Sequence, residues 1–154
     1  MDPERKEDIF CMIASGKIGS AKVWEDDEFI AILDINPNTE GMTLVMPKRH
    51  YGSDAFDMDD AAYARLMMAS KKVAKMLEKG LDVKRVAMVM EGMGIDHVHV
   101  KLYPLHGLSR KFEEKWSTEI KTYPKYEGFI STHLGPKANM DELKKLAGRI
   151  LERQ

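Results

Sequence analysis

The sequence contains little cysteine and no long run of apolar residues. Among its 154 residues there is one cysteine, Cys11, which excludes a framework of intramolecular disulfides and is consistent with a reducing compartment. No apolar segment approaches the roughly 18 residues that a membrane-spanning helix needs. The charged residues at the N-terminus are not followed by the apolar core of a signal peptide. We therefore expect a cytoplasmic protein that has no membrane partner.

The sequence also lacks an excess of charge of either sign. Its 24 Lys and Arg residues against 25 Asp and Glu residues give a net charge of −1, whereas a general nucleic-acid binder carries a positive excess. We therefore expect no nucleic-acid partner, and any recognition of phosphate must depend on a local group of residues. A composition that is 44% hydrophobic and 32% charged is that of an ordinary folded domain.

The periodicity of apolar residues predicts an α+β domain. Alternating or short apolar segments predict five strands, at residues 21–24, 29–33, 41–47, 86–90 and 96–104. Spacings of three and four residues predict three helices, at residues 8–14, 59–79 and 140–151. Because the strands before and after the long helix are joined by short connections, we expect a mostly antiparallel sheet.

The domain organisation is predicted from the caps of the second and third helices and from the irregular segment that lies between these helices. Gly80 is placed to cap the helix at 59–79, and Asn139 with Glu142 resembles a capping box for the last helix. Residues 105–135 mix Pro, Gly, Lys and aromatic residues without periodicity. We interpret the chain as a single domain, 1–154, with a core at about 8–104 and a C-terminal helical extension at 105–154.

The last predicted strand carries the residues best suited to chemistry. Side chains of a strand alternate between two faces, so His97, His99 and Lys101 share one face and the intervening valines belong to the core. Imidazole and ammonium groups are costly to bury, so we expect their face to line a solvent-reachable groove that attracts phosphate. Two alternatives remain open at this point: a solvated polar face without a function, and a pair of metal ligands, although a metal site normally needs three or four.

Four segments, in order, resemble conserved blocks of the histidine-triad (HIT) family of small nucleotide-binding proteins. They are Asp8-Ile9-Phe10-Cys11, Asp34-Ile35-Asn36-Pro37, the block from Gly41 to His50, and His97-Val98-His99, with Pro104 in register with a proline of the family. The resemblance covers roughly residues 8 to 104. It implies a HIT-like fold, in which a five-stranded antiparallel sheet packs with helices, and a homodimer in which two sheets join.

The resemblance also implies a function and the residues that perform it. Family members hydrolyse or transfer a nucleoside monophosphate from dinucleoside polyphosphates or phosphoramidates, so a nucleotide is the implied ligand and no cofactor is expected. By position, His99 matches the nucleophile and His97 the first histidine of the triad. Asp34 and Asn36 match a loop that contacts the ribose, and Ile35 flanks the base. A neutral imidazole can attack the α-phosphorus and leave again, giving a covalent nucleotidyl-histidine.

Three positions depart from the family pattern. Lys101 stands at the third histidine of the triad, Met42 at a histidine that follows glycine, and Met93 at a glutamine that contacts phosphate. An ammonium neutralises phosphate charge, but its reference pKa of about 10.4 makes it a poor proton shuttle near neutrality. We predict an active nucleotide hydrolase or transferase with Lys101 in the catalytic set and Met42 and Met93 at the substrate. The alternative is a catalytically silent nucleotide-binding or scaffold protein of the same fold.

Some bacterial HIT proteins bind zinc through a Cys-x-x-Cys motif near the N-terminus and histidines. Here Asp8 replaces the first cysteine, so the corresponding candidate ligands are Asp8, Cys11, His50 and His97. An ordinary buried thiol is the commoner state of such a cysteine. We therefore expect no metal at this site.

Overall fold

The computed structural model describes residues 7–153 and confirms the predicted α+β class. Five strands form one sheet, and they are β1 (Lys22–Glu25), β2 (Phe29–Leu33), β3 (Thr43–Pro47), β4 (Val86–Val89) and β5 (Val100–Pro104). The helices are α1 (Ile9–Ala14), α2 (Asp60–Gly80) and α3 (Met140–Leu151), with a short 3₁₀ turn at Ala55–Asp57. The strand order is β1-β2-β3-β5-β4, and all neighbouring strands are antiparallel. This is the five-stranded antiparallel sheet that the sequence predicts.

Helix α2 covers one face of the sheet. It begins after Asp59, whose carboxylate accepts a hydrogen bond from the backbone N–H of Ala62 at 2.9 Å, as expected of an N-cap residue. The prediction that Gly80 caps this helix is wrong, because Gly80 is its last residue and Leu81 occupies the capping position. The left-handed conformation falls on Asp82, with a φ of 50°, a residue type that tolerates it better than most.

The two faces of the sheet have separate apolar cores. On the α2 face, Val45, Leu66 and Val98 belong to the larger cluster of buried residues. On the opposite face a second cluster is formed, with the members Phe10, Ile30, Ile32, Met42, Leu44 and Met46. Residues of β3 therefore alternate between the two clusters, with Val45 in the first and Leu44 and Met46 in the second. Since Phe10 lies in α1, this short helix covers the face of the sheet that carries the histidines.

The contacts of the chain divide it into two compact units, which meet in sequence after Phe112. The second unit contains α3, whose bounds match the predicted helix, and the side chain of Asn139 accepts hydrogen bonds from the backbone N–H groups of Asp141 and Glu142. The interpretation of the chain as a single domain with an extension stays a prediction. Within residues 7–153, no helix is both long enough and apolar enough to cross a membrane.

Gly92 fixes the turn that leads from β4 toward the histidines. Its φ is +70°, and a Cβ at this position would lie 2.5 Å from the carbonyl oxygen of Ser53. Both conditions favour glycine, because a side chain strains this backbone conformation and collides with a neighbouring main chain. We expect Gly92→Ala to lower the free energy of unfolding, measured by urea denaturation, by about 2 kcal/mol.

Gly94 provides the matched control two residues away. A Cβ added at Gly94 meets no heavy atom within 4 Å, and its φ lies outside the left-handed range. We expect Gly94→Ala to change the free energy of unfolding by no more than about 0.5 kcal/mol. Equal effects of the two substitutions would show that the contact with Ser53 does not constrain this turn.

Candidate active site

Asp8 links the start of α1 to two histidines that are distant in sequence. Its carboxylate accepts hydrogen bonds from the backbone N–H groups of Phe10 and Cys11 at 2.8 and 2.9 Å, as an N-cap residue does. It also lies 2.8 Å from Nδ1 of His50 and 3.1 Å from Nδ1 of His97. Burial opposes ionisation of Asp8, but the hydrogen bonds from Cys11, His50 and His97 outweigh it and hold the pKa well below its usual range.

His97 is completely buried, and both of its ring nitrogens have partners. Nδ1 lies against the Asp8 carboxylate, and Nε2 lies 2.9 Å from the carbonyl oxygen of Pro47. The ring also makes an edge contact with Phe10 at 5.8 Å between centroids. The prediction that His97 lines a solvent-reachable groove is therefore wrong. Its polar atoms find oxygen partners inside the protein, which removes most of the cost of burial.

His99 is the better placed of the two for chemistry. Its Nδ1 donates to the carbonyl oxygen of His97 at 2.8 Å, so in the neutral ring the lone pair lies on Nε2. The ring packs against Phe10 at 5.1 Å between centroids, and the residue is 6% exposed. Burial lowers the pKa of His99, which favours the neutral, nucleophilic form. This residue is less open to solvent than the sequence predicts, because α1 covers it.

Lys101 in β5 and Glu91, two residues after the end of β4, form an ion pair. The Nζ atom of Lys101 lies 2.6 Å from Oε1 of Glu91, and the two side chains are 23% and 13% exposed. Strand β4 pairs with β5 so that Val89 is opposite Lys101, which brings the residues after β4 alongside the histidine segment. No sequence motif singles out Glu91. The antiparallel pairing of the two predicted strands is the signal that could have found it.

The other predicted substrate residues lie in two different environments. Asp34 is partly buried after β2, and its carboxylate accepts from the backbone N–H of Asn36 at 2.7 Å, which is the geometry of an Asx turn. Ile35 and Met93 are 89% and 70% exposed, and Asn36 is exposed as well. Met42 is 6% exposed and belongs to the second core cluster, so it packs inside the protein instead of facing solvent.

The four candidate metal ligands come together around Asp8. One donor atom from each of Asp8, Cys11, His50 and His97 lies within 4.8 Å of all the others. Zinc binds carboxylate, thiolate and imidazole donors at about 2.0 to 2.3 Å, so this donor set fits zinc after a small contraction. Burial and the Asp8 carboxylate raise the pKa of Cys11 to about 11, and a bound metal would have to displace the thiol proton.

This cluster would hold a metal for structure and not for reaction. All four positions of a tetrahedral site would be filled by protein side chains, which leaves none for water or substrate. A zinc ion there would cross-link α1 to the segment that carries His97. The expectation that the site contains no metal stays a prediction.

These features define an α+β protein with the HIT-like fold. They are the five-stranded sheet, helix α1 on one of its faces, and the histidines that directly precede β5. The model of the HIT domain matches residues 15–112 of this sequence. The chain belongs to the HIT family, as its sequence motifs indicate.

Alignments with individual relatives cover most of the chain. The protein named hit from Bacillus subtilis is 32% identical over 120 residues, which cover 75% of this chain and 82% of that protein. The adenosine 5′-monophosphoramidase of Saccharomyces cerevisiae is 35% identical over 99 residues, covering 62% of this chain and 61% of that enzyme. A crystal structure of a protein from Streptococcus mutans superposes with a TM-score of 0.71 at 28% identity, over 99% of this chain and 88% of the other.

Proposed function

We propose that this protein is a nucleotide hydrolase or nucleotidylyltransferase that acts at an α-phosphate through a covalent intermediate on His99. The observation that carries the proposal is the hydrogen bond from Nδ1 of His99 to the carbonyl oxygen of His97 at 2.8 Å. It orients the ring and places the nucleophilic lone pair on Nε2. The sequence is 35% identical over 99 residues to the yeast adenosine 5′-monophosphoramidase, and this similarity supports the same class of reaction.

The proposed reaction has two displacement steps. Nε2 of His99 attacks the α-phosphorus, a P–N bond forms, and the bond to the leaving group breaks with its electron pair on that group. The ring then carries a positive charge, which the carbonyl oxygen of His97 stabilises through the Nδ1–H bond. Water or another acceptor attacks phosphorus in the second step, and the electron pair of the P–N bond returns to Nε2. Water releases a mononucleotide, and the acceptor's proton passes to solvent.

The remaining residues bind or position in this proposal. Asp34 and Asn36 contact the ribose, and the exposed side chain of Ile35 lies against the base. His97 positions the nucleophile through its backbone carbonyl, and Asp8 holds the ring of His97 at Nδ1. No metal takes part in either step.

The test is incubation of the purified protein with nucleoside phosphoramidates and dinucleoside polyphosphates, with mononucleotide release followed by chromatography. We expect release that depends on His99. Nucleotide binding without product over several hours would instead identify the silent binding protein. The burial of His99 is the observation that favours this second candidate, since a substrate must reach a residue that is 6% exposed.

We also propose that the protein is a cytoplasmic homodimer that joins two sheets through β4. This strand lies at one edge of the sheet and its Met88 is 52% exposed, whereas isolated proteins usually protect an edge strand. Analytical ultracentrifugation should show a dimer, and Met88→Lys should shift the equilibrium toward monomer by placing like charges across the two-fold axis. A parent protein that sediments as a monomer at all concentrations contradicts this proposal.

A further inference from the structure

The ion pair of Lys101 and Glu91 joins strand β5 to the segment that follows β4. Lys101 lies in β5, where Leu44 of β3 and Val89 of β4 are its paired neighbours. Glu91 directly precedes Gly92, where an added Cβ would lie 2.5 Å from the carbonyl oxygen of Ser53. Lys101 is therefore held by strand pairing, and Glu91 lies between the end of β4 and the constrained turn at Gly92. The ammonium group is held on the same alternating face as His99, two residues further along the chain.

The two substrate classes of the proposed reaction are phosphoanhydrides and phosphoramidates, and each requires different chemistry from the residue at position 101. In a phosphoanhydride the leaving group is a phosphate, which departs as an anion and needs only charge neutralisation. In a phosphoramidate the leaving group is an amine, which must take up a proton before it departs. A general acid works best when its pKa is near the working pH, and an alkylammonium with a reference pKa of about 10.4 is far from it.

An ammonium is suited to neutralising the charge of a departing phosphate but not to protonating a departing amine. Building on the proposed function, we propose that the Glu91–Lys101 pair makes this site selective for phosphoanhydrides over phosphoramidates. The Pα–O bond breaks with its electron pair on the departing phosphate, and Lys101 neutralises the charge that develops there. Glu91 is a positioning residue, which holds the ammonium beside the α-phosphate. It acts through Lys101 and not on the substrate.

The first experiment compares the parent with Lys101→His, using diadenosine tetraphosphate and adenosine 5′-phosphoramidate as probes. We expect the parent to have the higher kcat/KM with the tetraphosphate. A histidine can donate a proton near neutrality, so Lys101→His should shift the ratio of the two kcat/KM values toward the phosphoramidate by about tenfold or more. Because both kcat/KM values of a variant scale with the same fraction of folded protein, their ratio does not depend on that fraction.

The second experiment separates a positioning role of Glu91 from a structural one. Glu91→Gln keeps the shape of the side chain but removes the charge, so kcat with the tetraphosphate should fall about tenfold with a smaller change in KM. Glu91→Asp should restore part of that loss, because the carboxylate is retained. The ion pair of Lys84 and Asp82, at 2.8 Å on the surface, is the matched control. Lys84→His and Asp82→Asn should leave both kcat/KM values at those of the parent.

The outcomes distinguish this inference from the proposed function. If the parent acts on both probes through His99 but prefers the phosphoramidate, or if Lys101→His leaves the ratio unchanged, the selectivity is wrong while the proposed function stands. If the parent acts on neither probe, both are wrong. A fall in kcat for Glu91→Gln that Glu91→Asp does not improve contradicts the positioning role.

Discussion

His99→Ala is expected to lower mononucleotide release by at least about 1,000-fold, because removing a nucleophile forfeits the covalent route and leaves only binding and electrostatic assistance. Nε2 of His99 is the ring atom that the hydrogen bond at Nδ1 leaves with its lone pair. His97 is no substitute, since its two nitrogens are engaged by Asp8 and Pro47. The measurement is kcat/KM for release of a mononucleotide, with folded protein quantified by circular dichroism.

A second histidine supplies the control for this experiment. His106 is exposed, and its Nε2 lies 2.8 Å from the backbone carbonyl of Glu40. We expect His106→Ala to retain the activity of the parent. Added imidazole offers a further check, because it can occupy the space left by the ring in His99→Gly and act as the nucleophile. Full activity in His99→Ala would show that the nucleophile is another group.

Asp8→Ala is expected to have the largest effect on stability of the substitutions considered. It removes the N-cap of α1 and leaves Nδ1 of the buried His97 without its carboxylate partner. An N-cap contributes about 1 kcal/mol, and a hydrogen bond to a charged group contributes about 1.5 to 3 kcal/mol. We therefore expect the free energy of unfolding to fall by about 3 kcal/mol. The measurement is urea denaturation in the presence of a chelator.

Another N-cap aspartate isolates the contribution of the histidines. Asp59 caps α2 through a hydrogen bond from the N–H of Ala62, and within residues 7–153 its carboxylate has no hydrogen bond to a histidine. Asp59→Ala should cost about 1 kcal/mol. The free energy of unfolding that Asp8→Ala loses beyond the loss in Asp59→Ala measures the contribution of the contacts between Asp8 and the two histidines, His50 and His97. Equal losses in the two variants would mean that the contacts between Asp8 and the histidines add nothing to stability.

The ionisation of Asp8 also gives its contribution a definite pH dependence. Its pKa is lower in the folded protein than its ordinary value of 3.8, so the folded state favours the carboxylate form. The contribution of Asp8 is therefore fully present well above that value and is lost progressively as the pH falls below it. The free energy of unfolding of Asp8→Ala should accordingly decline less on acidification than that of the parent.

The sequence predicts the elements of this fold more closely than it predicts the environment of the histidines. The bounds of β2 and of α3 agree with the predicted strand and helix, because each is a simple apolar pattern with a clear cap or turn at its ends. Alternation also tells which residues share a face with His99. It does not predict which residues cover that face, where Phe10, distant in sequence, packs against both His97 and His99.

The contacts that complete the site could not be read from local patterns. Asp8 meets His97 across 89 positions of the chain, and only the folded sheet and α1 together bring them into contact. Glu91 follows a strand without any motif of its own, yet it is the partner of Lys101. Both are charged residues whose partners are set by tertiary packing, which local propensity does not encode.

Helix α1 has six residues, and a helix of this length is marginal in isolation. Its first two amide hydrogen bonds, at Phe10 and Cys11, end on the carboxylate that also holds His97. Unwinding of α1 therefore disturbs the carboxylate that holds the ring of His97 at Nδ1. We expect α1 and the site to open together, so that hydrogen exchange at those two amides measures how often the contact between Asp8 and His97 breaks.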